Sequence, residues 1–169
     1  HCDIVLEGGA LEIDQNQHLI STRSCLFNAS RNGTLTEKEY VDVFTHKLGA
    51  ANISILEYGY LEGDDTDGHI DTLVRFTPDK GLVIQSAFNC PDDGHFEGLS
   101  ALVKECQHTF PGHKIFELPL PYVVNLQGDR LPASYANFLI SNQHILFPIY
   151  LQTEDKLALQ VIHNAYPSF

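Results

Sequence analysis

The densest group of residues able to do chemistry is the segment GDDTDGHID, from Gly63 to Asp71. It places the imidazole of His69 two residues before the carboxylate of Asp71. We expect both at the start of a strand, where side chains two residues apart point to the same face. A histidine beside a carboxylate suits proton transfer near neutral pH, and the carboxylate can also bind a cation. The alternative is an acidic, solvated turn with an incidental histidine; a calcium loop is disfavoured because its ligand spacing is absent.

Glu7 is a second candidate, because it follows the apolar residues Ile4 to Leu6 and precedes Gly8 and Gly9. A carboxylate entering a buried strand needs a partner, since removing a charge from water costs several kcal/mol. A bound guanidinium is a suitable partner, because its planar fork matches a carboxylate. The alternative is a glutamate that caps a turn at the surface.

Cysteine and histidine residues in the second half of the chain allow a metal-site hypothesis, but their spacings match no common zinc pattern. These residues are Cys90, His95, Cys106, His108 and His113. Cys106 lies on the apolar face of a predicted helix, which indicates a buried structural thiol. We therefore expect no metal.

The elements that must position these residues form a repeat of two strands, a helix and a strand (ββαβ). Three hairpins are predicted, and matched apolar residues in their second strands are 63 residues apart. The hairpins are Glu7–Thr22, His69–Ser86 and Ala133–Tyr150, and the matched residues are Leu19, Leu82 and Ile145. Glu7 and His69 then precede their matched leucines by 12 and 13 residues, so they occupy nearly equivalent positions. The alternative is three unrelated hairpin-helix pieces.

A helix signal follows each hairpin. Thr36 and Glu39 have the form of a capping box, with Gly49 as the stop, and later helices carry Cys106 and Val161 on apolar faces. Closing strands are predicted over residues 53–56 and 115–118, and a third one is missing. The units therefore lie near 4–57, 69–118 and, incompletely, 133–169. We predict an α+β fold in which about two and a half such units surround an axis, as in a propeller.

The composition limits the partners. Lys plus Arg number 10 against 22 Asp plus Glu, a formal net charge of −12, which argues against nucleic acid. It is compatible with a small cationic substrate. No apolar stretch approaches the roughly 20 residues of a membrane span, and the four scattered cysteines indicate reduced thiols in a cytoplasmic protein. The chain begins with His1 and contains no Met, so we expect it to be part of a longer protein.

Taken together, the segments DIVLEGGALEID, GDDTDGHIDTLVRF and LPASYANFLISN resemble the agmatine deiminase family, which includes the Porphyromonas-type peptidylarginine deiminases. The resemblance implies a pentein fold, with five ββαβ units around a pseudo-fivefold axis. It also implies hydrolysis of agmatine to N-carbamoylputrescine and ammonia, a step of polyamine synthesis. In this family a cysteine thiolate attacks the guanidinium carbon to form a covalent intermediate, without a cofactor. His69 matches the family's acid/base, and Asp71 and Glu7 match its guanidinium-binding carboxylates. Asp65 is the candidate for the distal amine of the substrate.

Two departures from the family pattern lead us to expect that this chain alone is inactive. The family's nucleophilic cysteine lies in a glycine-rich HC motif near the C-terminus, and its other guanidinium-binding Asp lies in an N-terminal RDxGP-like segment. Neither motif occurs here. Two other functions stay open: deimination of peptidyl-arginine to citrulline, and guanidinium binding without catalysis. A homo-oligomer is possible, although no interface can be deduced from the sequence.

Overall fold

The computed structural model describes residues 4–169, which form a mixed α/β fold with three small sheets. In the first sheet, β1 pairs antiparallel with β2, and β2 pairs parallel with β3. These strands are β1 (Glu12–Ile13), β2 (His18–Thr22) and β3 (Asn52–Leu56), with helices α1 (Arg23–Leu26), α2 (Ala29–Asn32) and α3 (Glu37–Leu48) between the last two. The predicted closing strand at 53–56 is therefore confirmed, one residue longer.

The second sheet has the same pairing as the first. Its strands are β4 (Val74–Thr77), β5 (Gly81–Gln85) and β6 (Lys114–Leu118), and α4 (Phe96–Thr109) connects the last two. The third sheet has two antiparallel strands, β7 (Leu139–Ser141) and β8 (His144–Leu146), followed by α5 (Glu154–Ala165). Matched residues Leu19 and Leu82 each pair with the closing strand, with Ile53 and Ile115 respectively.

Local sequence explains where α3 begins and ends. The Thr36 side chain accepts a hydrogen bond from the Glu39 N–H, and the Glu39 carboxylate accepts one from the Thr36 N–H, so two exposed amide donors are satisfied. Gly49 follows the helix with a φ of 73°, a left-handed conformation in which a Cβ would be strained. The predicted capping box and stop are both confirmed.

The core surrounds β5, which is buried on both faces. Leu82 and Ile84 pack in one apolar cluster with residues of α4 that include Cys106, whereas Val83 packs in a second cluster with residues of α5. This strand is a continuous apolar run because neither face meets water.

Arg75 joins the three sheets. Its Nε lies 3.0 Å from Glu12 Oε2, its Nη1 donates to the Phe138 carbonyl at 2.7 Å, and its guanidinium carbon lies 4.5 Å from the centre of the Phe138 ring. The chain places Arg75 63 residues after Glu12, and Phe138 63 residues after Arg75. Residues at equivalent positions of the predicted repeat therefore make the contacts between neighbouring sheets.

Among the described residues, no helix has the length and apolarity to cross a membrane.

Candidate functional site

Glu7 and His69 meet directly. His69 Nε2 lies 2.7 Å from Glu7 Oε2. Each residue immediately precedes a short 3₁₀ turn, Gly8–Ala10 for Glu7 and Ile70–Thr72 for His69. The contact agrees with the nearly equivalent positions of the two residues in the repeat, whereas their expected place on strands is wrong. The chain turns at both positions before its strand begins, and the Glu7 side chain is 42% exposed rather than buried.

Gly9 lets Asp71 and His69 approach the backbone of the first turn. A Cβ at residue 9 would lie 2.5 Å from Asp71 Oδ2 and 2.6 Å from His69 Nδ1. A side chain larger than hydrogen would therefore collide with both groups. Asp71 and the second ring nitrogen of His69 thus share one small space, although a 3₁₀ turn rather than a strand carries them.

The loop before His69 is held by Asp64. Its two carboxylate oxygens accept hydrogen bonds from the N–H groups of Thr66 and Gly68, which closes a compact turn. Asp65 lies on this loop and is exposed, and no side-chain hydrogen bond of Asp65 is found within residues 4–169. The structure brings Glu7, His69 and Asp71 together and leaves Asp65 exposed on the loop that precedes them.

Arg31 is the first of two residues at the site that the sequence analysis missed. Its Nε donates to Glu7 Oε2 at 2.7 Å, its Nη1 pairs with Asp67 at 2.6 Å, and its Nη2 donates to the Thr66 carbonyl at 2.9 Å. The side chain is only 11% exposed. The predicted need of Glu7 for a guanidinium partner is met by this residue of the chain itself. A search for a cation to pair with Glu7 in such an acidic chain was the signal that could have found it.

Cys25 is the second missed residue. In the part of the chain that the structure describes, Glu7, Cys25 and His69 are the group whose ligand atoms could hold a metal, all within 4.8 Å of one another. The candidates Cys90, His95, Cys106, His108 and His113 do not form such a group there. However, burial raises the pKa of the Cys25 thiol to about 11, and Arg31 places a positive charge on Glu7. Both effects disfavour a bound cation at this point.

The pKa values of the two carboxylates at the site, Glu7 and Asp71, are shifted in opposite directions. Hydrogen bonds from Arg31 and His69 lower the pKa of Glu7, so it stays ionised. Burial raises the pKa of Asp71, against the attraction of His69 and Arg75. A cation bound beside Asp71 would offset that burial. An imidazole between two carboxylates can donate and accept a proton while the carboxylates hold a cationic ligand.

A large cleft lies elsewhere. Its volume is about 900 Å³, and its lining includes the charged or titratable residues Asp93, His95 and Arg130 and the aromatic residues Tyr60 and Tyr122. None of the candidate residues Glu7, Asp65, His69 and Asp71 lines it.

Curated relatives match nearly all of this chain over part of their own length. A candidate agmatine deiminase of Legionella pneumophila (strain Paris) is 32% identical over an alignment of 176 positions, which covers 100% of this chain and 50% of the relative. One of Vibrio parahaemolyticus serotype O3:K6 is also 32% identical, over 98% of this chain and 51% of the relative. The chain spans about half the length of the curated relatives it matches.

Solved structures give the same result. A candidate arginine deiminase of Porphyromonas gingivalis superposes with a TM-score of 0.91 at 39% identity, over 98% of this chain and 50% of the other. A Cys→Ser variant of agmatine deiminase from C. jejuni, with substrate bound, superposes with a TM-score of 0.92 at 30% identity, over 99% and 49%. The model of the Porphyromonas-type peptidyl-arginine deiminase family matches residues 1–169, and the chain therefore belongs to this family.

Proposed function

We propose that this chain carries the proton-transfer and guanidinium-binding part of an enzyme that hydrolyses agmatine to N-carbamoylputrescine and ammonia. The observation that carries the proposal is the contact of His69 with Glu7 beside Asp71. The agmatine deiminases among its relatives support the choice of substrate. We also propose that the units near 4–57, 69–118 and 133–169 belong to a pentein ring, which other parts of the protein complete.

In this proposal the chain's residues act in two stages. A cysteine thiolate from outside the chain attacks the guanidinium carbon while Asp71 and Glu7 hold the guanidinium nitrogens. His69 gives a proton to the departing nitrogen, which leaves as ammonia, and a thiouronium remains on the cysteine. A water molecule, deprotonated by His69, then attacks the same carbon and releases the ureido product and the thiolate. Asp65 would bind the amine at the other end of agmatine. No metal or cofactor takes part.

The proposed setting follows from the substrate. N-carbamoylputrescine supplies polyamine synthesis, so we place the protein in the cytoplasm. The chain alone would bind guanidinium compounds without turning them over, since its nucleophile lies elsewhere. Deimination of peptidyl-arginine is the second candidate, favoured by the match to the family of Porphyromonas-type peptidyl-arginine deiminases.

The test is ammonia release by the full-length protein that contains this chain, with agmatine and with an arginine-containing peptide as substrates. We expect turnover of agmatine, and an His69→Ala variant should lose activity by at least about 100-fold, the lower range for an acid/base residue. An His46→Ala variant is the control, because His46 is exposed on α3 and distant in sequence from the site. Turnover of the peptide alone would transfer the proposal to peptidyl-arginine.

Binding to the 169-residue chain separates catalysis from recognition. We expect saturable binding of agmatine by calorimetry, weakened in Asp71→Asn, and no ammonia. Ammonia release by the verified chain alone would show that it contains its own nucleophile. Agmatine binding that Asp71→Asn leaves unchanged would contradict the role of Asp71.

A further inference from the structure

Arg31 connects two parts of the site that are distant in sequence. Its Nε reaches Glu7, while its two terminal nitrogens hold Asp67 and the Thr66 carbonyl, in the turn directly before His69. Asp67 has a φ of 61°, so this turn has a tightly defined shape. The guanidinium therefore fixes the distance between the segment of Glu7 and the segment of His69. An arginine suits this task because it offers several donors in a rigid plane.

We propose that Arg31 is a positioning residue for the reaction, acting through Glu7 and the turn before His69. This inference rests on the proposed function. Arg31 and His69 both bind the same oxygen of Glu7, Oε2, at 2.7 Å each. Within the described residues, Oε1 of Glu7 accepts no hydrogen bond, so it stays available for a substrate guanidinium. Arg31 thus orients the carboxylate without occupying the position of the substrate.

A second ion pair shows that a loop can be held in this way without an arginine between the second strand and the helix. Arg31 lies between β2 and α3, and Asp67 lies between β3 and β4. In the next unit, Asp93 lies between β5 and α4, and it binds Arg130, between β6 and β7, at 3.1 Å. The corresponding segments are thus joined by the same kind of pair with the charges exchanged. Either polarity can dock a loop, but an acidic residue at position 31 could not pair with the Glu7 carboxylate, as Arg31 does.

The two loops also share their internal bonding. Asp64 accepts hydrogen bonds from the N–H groups two and four residues later, and Asn125 does the same. These side chains maintain the loop shape in both places, so loop shape does not explain why the cation of the first pair is at residue 31 and not in the loop. The contact of Arg31 with Glu7 does explain it.

The experiment compares Arg31→Gln with Asp67→Asn in the full-length protein. Asp67→Asn removes the charge that pairs with Arg31 Nη1 but leaves the contact of Arg31 with Glu7, and asparagine tolerates the left-handed backbone at residue 67. We expect Arg31→Gln to lower kcat by about 10- to 100-fold, as for a misplaced catalytic group, and Asp67→Asn by much less. Arg31→Lys should recover only part of the loss. Asp93→Asn is the matched control at the second ion pair.

The pH profile gives a readout that a purely structural role would not change. Arg31 lowers the pKa of Glu7, so its removal should move the acid limb of kcat/KM to higher pH, while Asp67→Asn should leave that limb in place. The same shift should appear when the Glu7 carboxyl is titrated by NMR in the 169-residue chain. Equal losses and identical pH profiles for the two variants, with an active wild type, would overturn the role of Arg31 alone. A wild type inert on every guanidinium substrate would overturn the proposed function, and this inference with it.

Discussion

Replacing Gly9 with alanine should impair catalysis while leaving the fold almost unchanged. The new methyl group would lie 2.5 Å from Asp71 Oδ2, about 0.9 Å closer than the 3.4 Å at which ordinary contact begins. The same methyl group would lie 2.6 Å from His69 Nδ1. The close atoms all belong to side chains and none to the backbone, so Asp71 and His69 can rotate away without a change in the fold. They would then stand roughly 1 Å from their present positions.

A displacement of this size in a catalytic group lowers the rate by about 100-fold. Gly8 provides a control one residue earlier in the same turn, because a Cβ there would have no atom within 4 Å. Gly8→Ala should retain wild-type activity. Both substitutions restrict the unfolded chain, which contributes about 0.4–1 kcal/mol to stability. We therefore expect both variants to unfold within about 1 kcal/mol of the wild type.

The assay measures ammonia release from agmatine by the full-length protein, together with urea unfolding of the 169-residue chain. Activity of Gly9→Ala equal to that of Gly8→Ala would refute the argument, because the two groups would then not need their observed positions. A large loss of stability in Gly9→Ala would also contradict it, since the collision would then not be relieved by side-chain movement.

Three further predictions concern the fold. Arg75→Met should lower the free energy of unfolding in urea by about 3 kcal/mol, because it leaves the Glu12 carboxylate buried without its cation. Adding Glu12→Gln should restore part of this loss, and no recovery would contradict the argument. Burial raises the pKa of Asp93, but hydrogen bonds from the backbone N–H and the ring of His95 and from the Arg130 guanidinium lower it more, to about 2. The stabilisation of the fold by ionised Asp93 is thus present above about pH 4 and lost towards pH 2. The difference in free energy of unfolding between the wild type and Asp93→Asn should shrink by about 2 kcal/mol across that window, as acid titrations followed by circular dichroism can check. Iodoacetamide should label Cys90 before Cys106, because burial raises the pKa of the Cys106 thiol to about 12. Peptide mass spectrometry can check the order, and the reverse order would show that the core around Cys106 opens readily.

Much of the fold could be predicted because it depends on local signals. The capping box at Thr36, the apolar face of α4 and the closing strands follow from the types and spacing of neighbouring residues. The repeat also placed Glu7 and His69 within one position of equivalence, and they are in contact. Alternation and turn chemistry are enough for such predictions.

The expectations about strands at the site were wrong for a physical reason. Glu7 follows the apolar residues Ile4 to Leu6, and His69 directly precedes Ile70, which is buried. An extended backbone at these positions would have had to bury the polar side chain or turn it away from the site. Short 3₁₀ turns avoid this, because each places the side chain at the end of its element. Gly8 and Gly9 make the first of these turns possible, and glycines in sequence do not reveal which turn they form.

Arg31 and Cys25 were missed because their places at the site depend on distant partners. Arg31 binds a carboxylate 24 residues earlier and a loop about 35 residues later. No periodicity connects such positions. The sequence indicated that Glu7 needed a cation, and only the packing of the three segments identified which one.

The bridge from Glu12 through Arg75 to Phe138 has a consequence for how the protein opens. Each link spans 63 residues, so no sheet can complete this side-chain bridge from its own sequence. Opening of β4 breaks links to both neighbours at once. Hydrogen exchange of the amides in β4 should therefore occur with the opening of all three sheets together, as one cooperative unit. Closing these long links also makes folding depend on contacts between distant parts of the chain, which slows it relative to a helical protein of equal size.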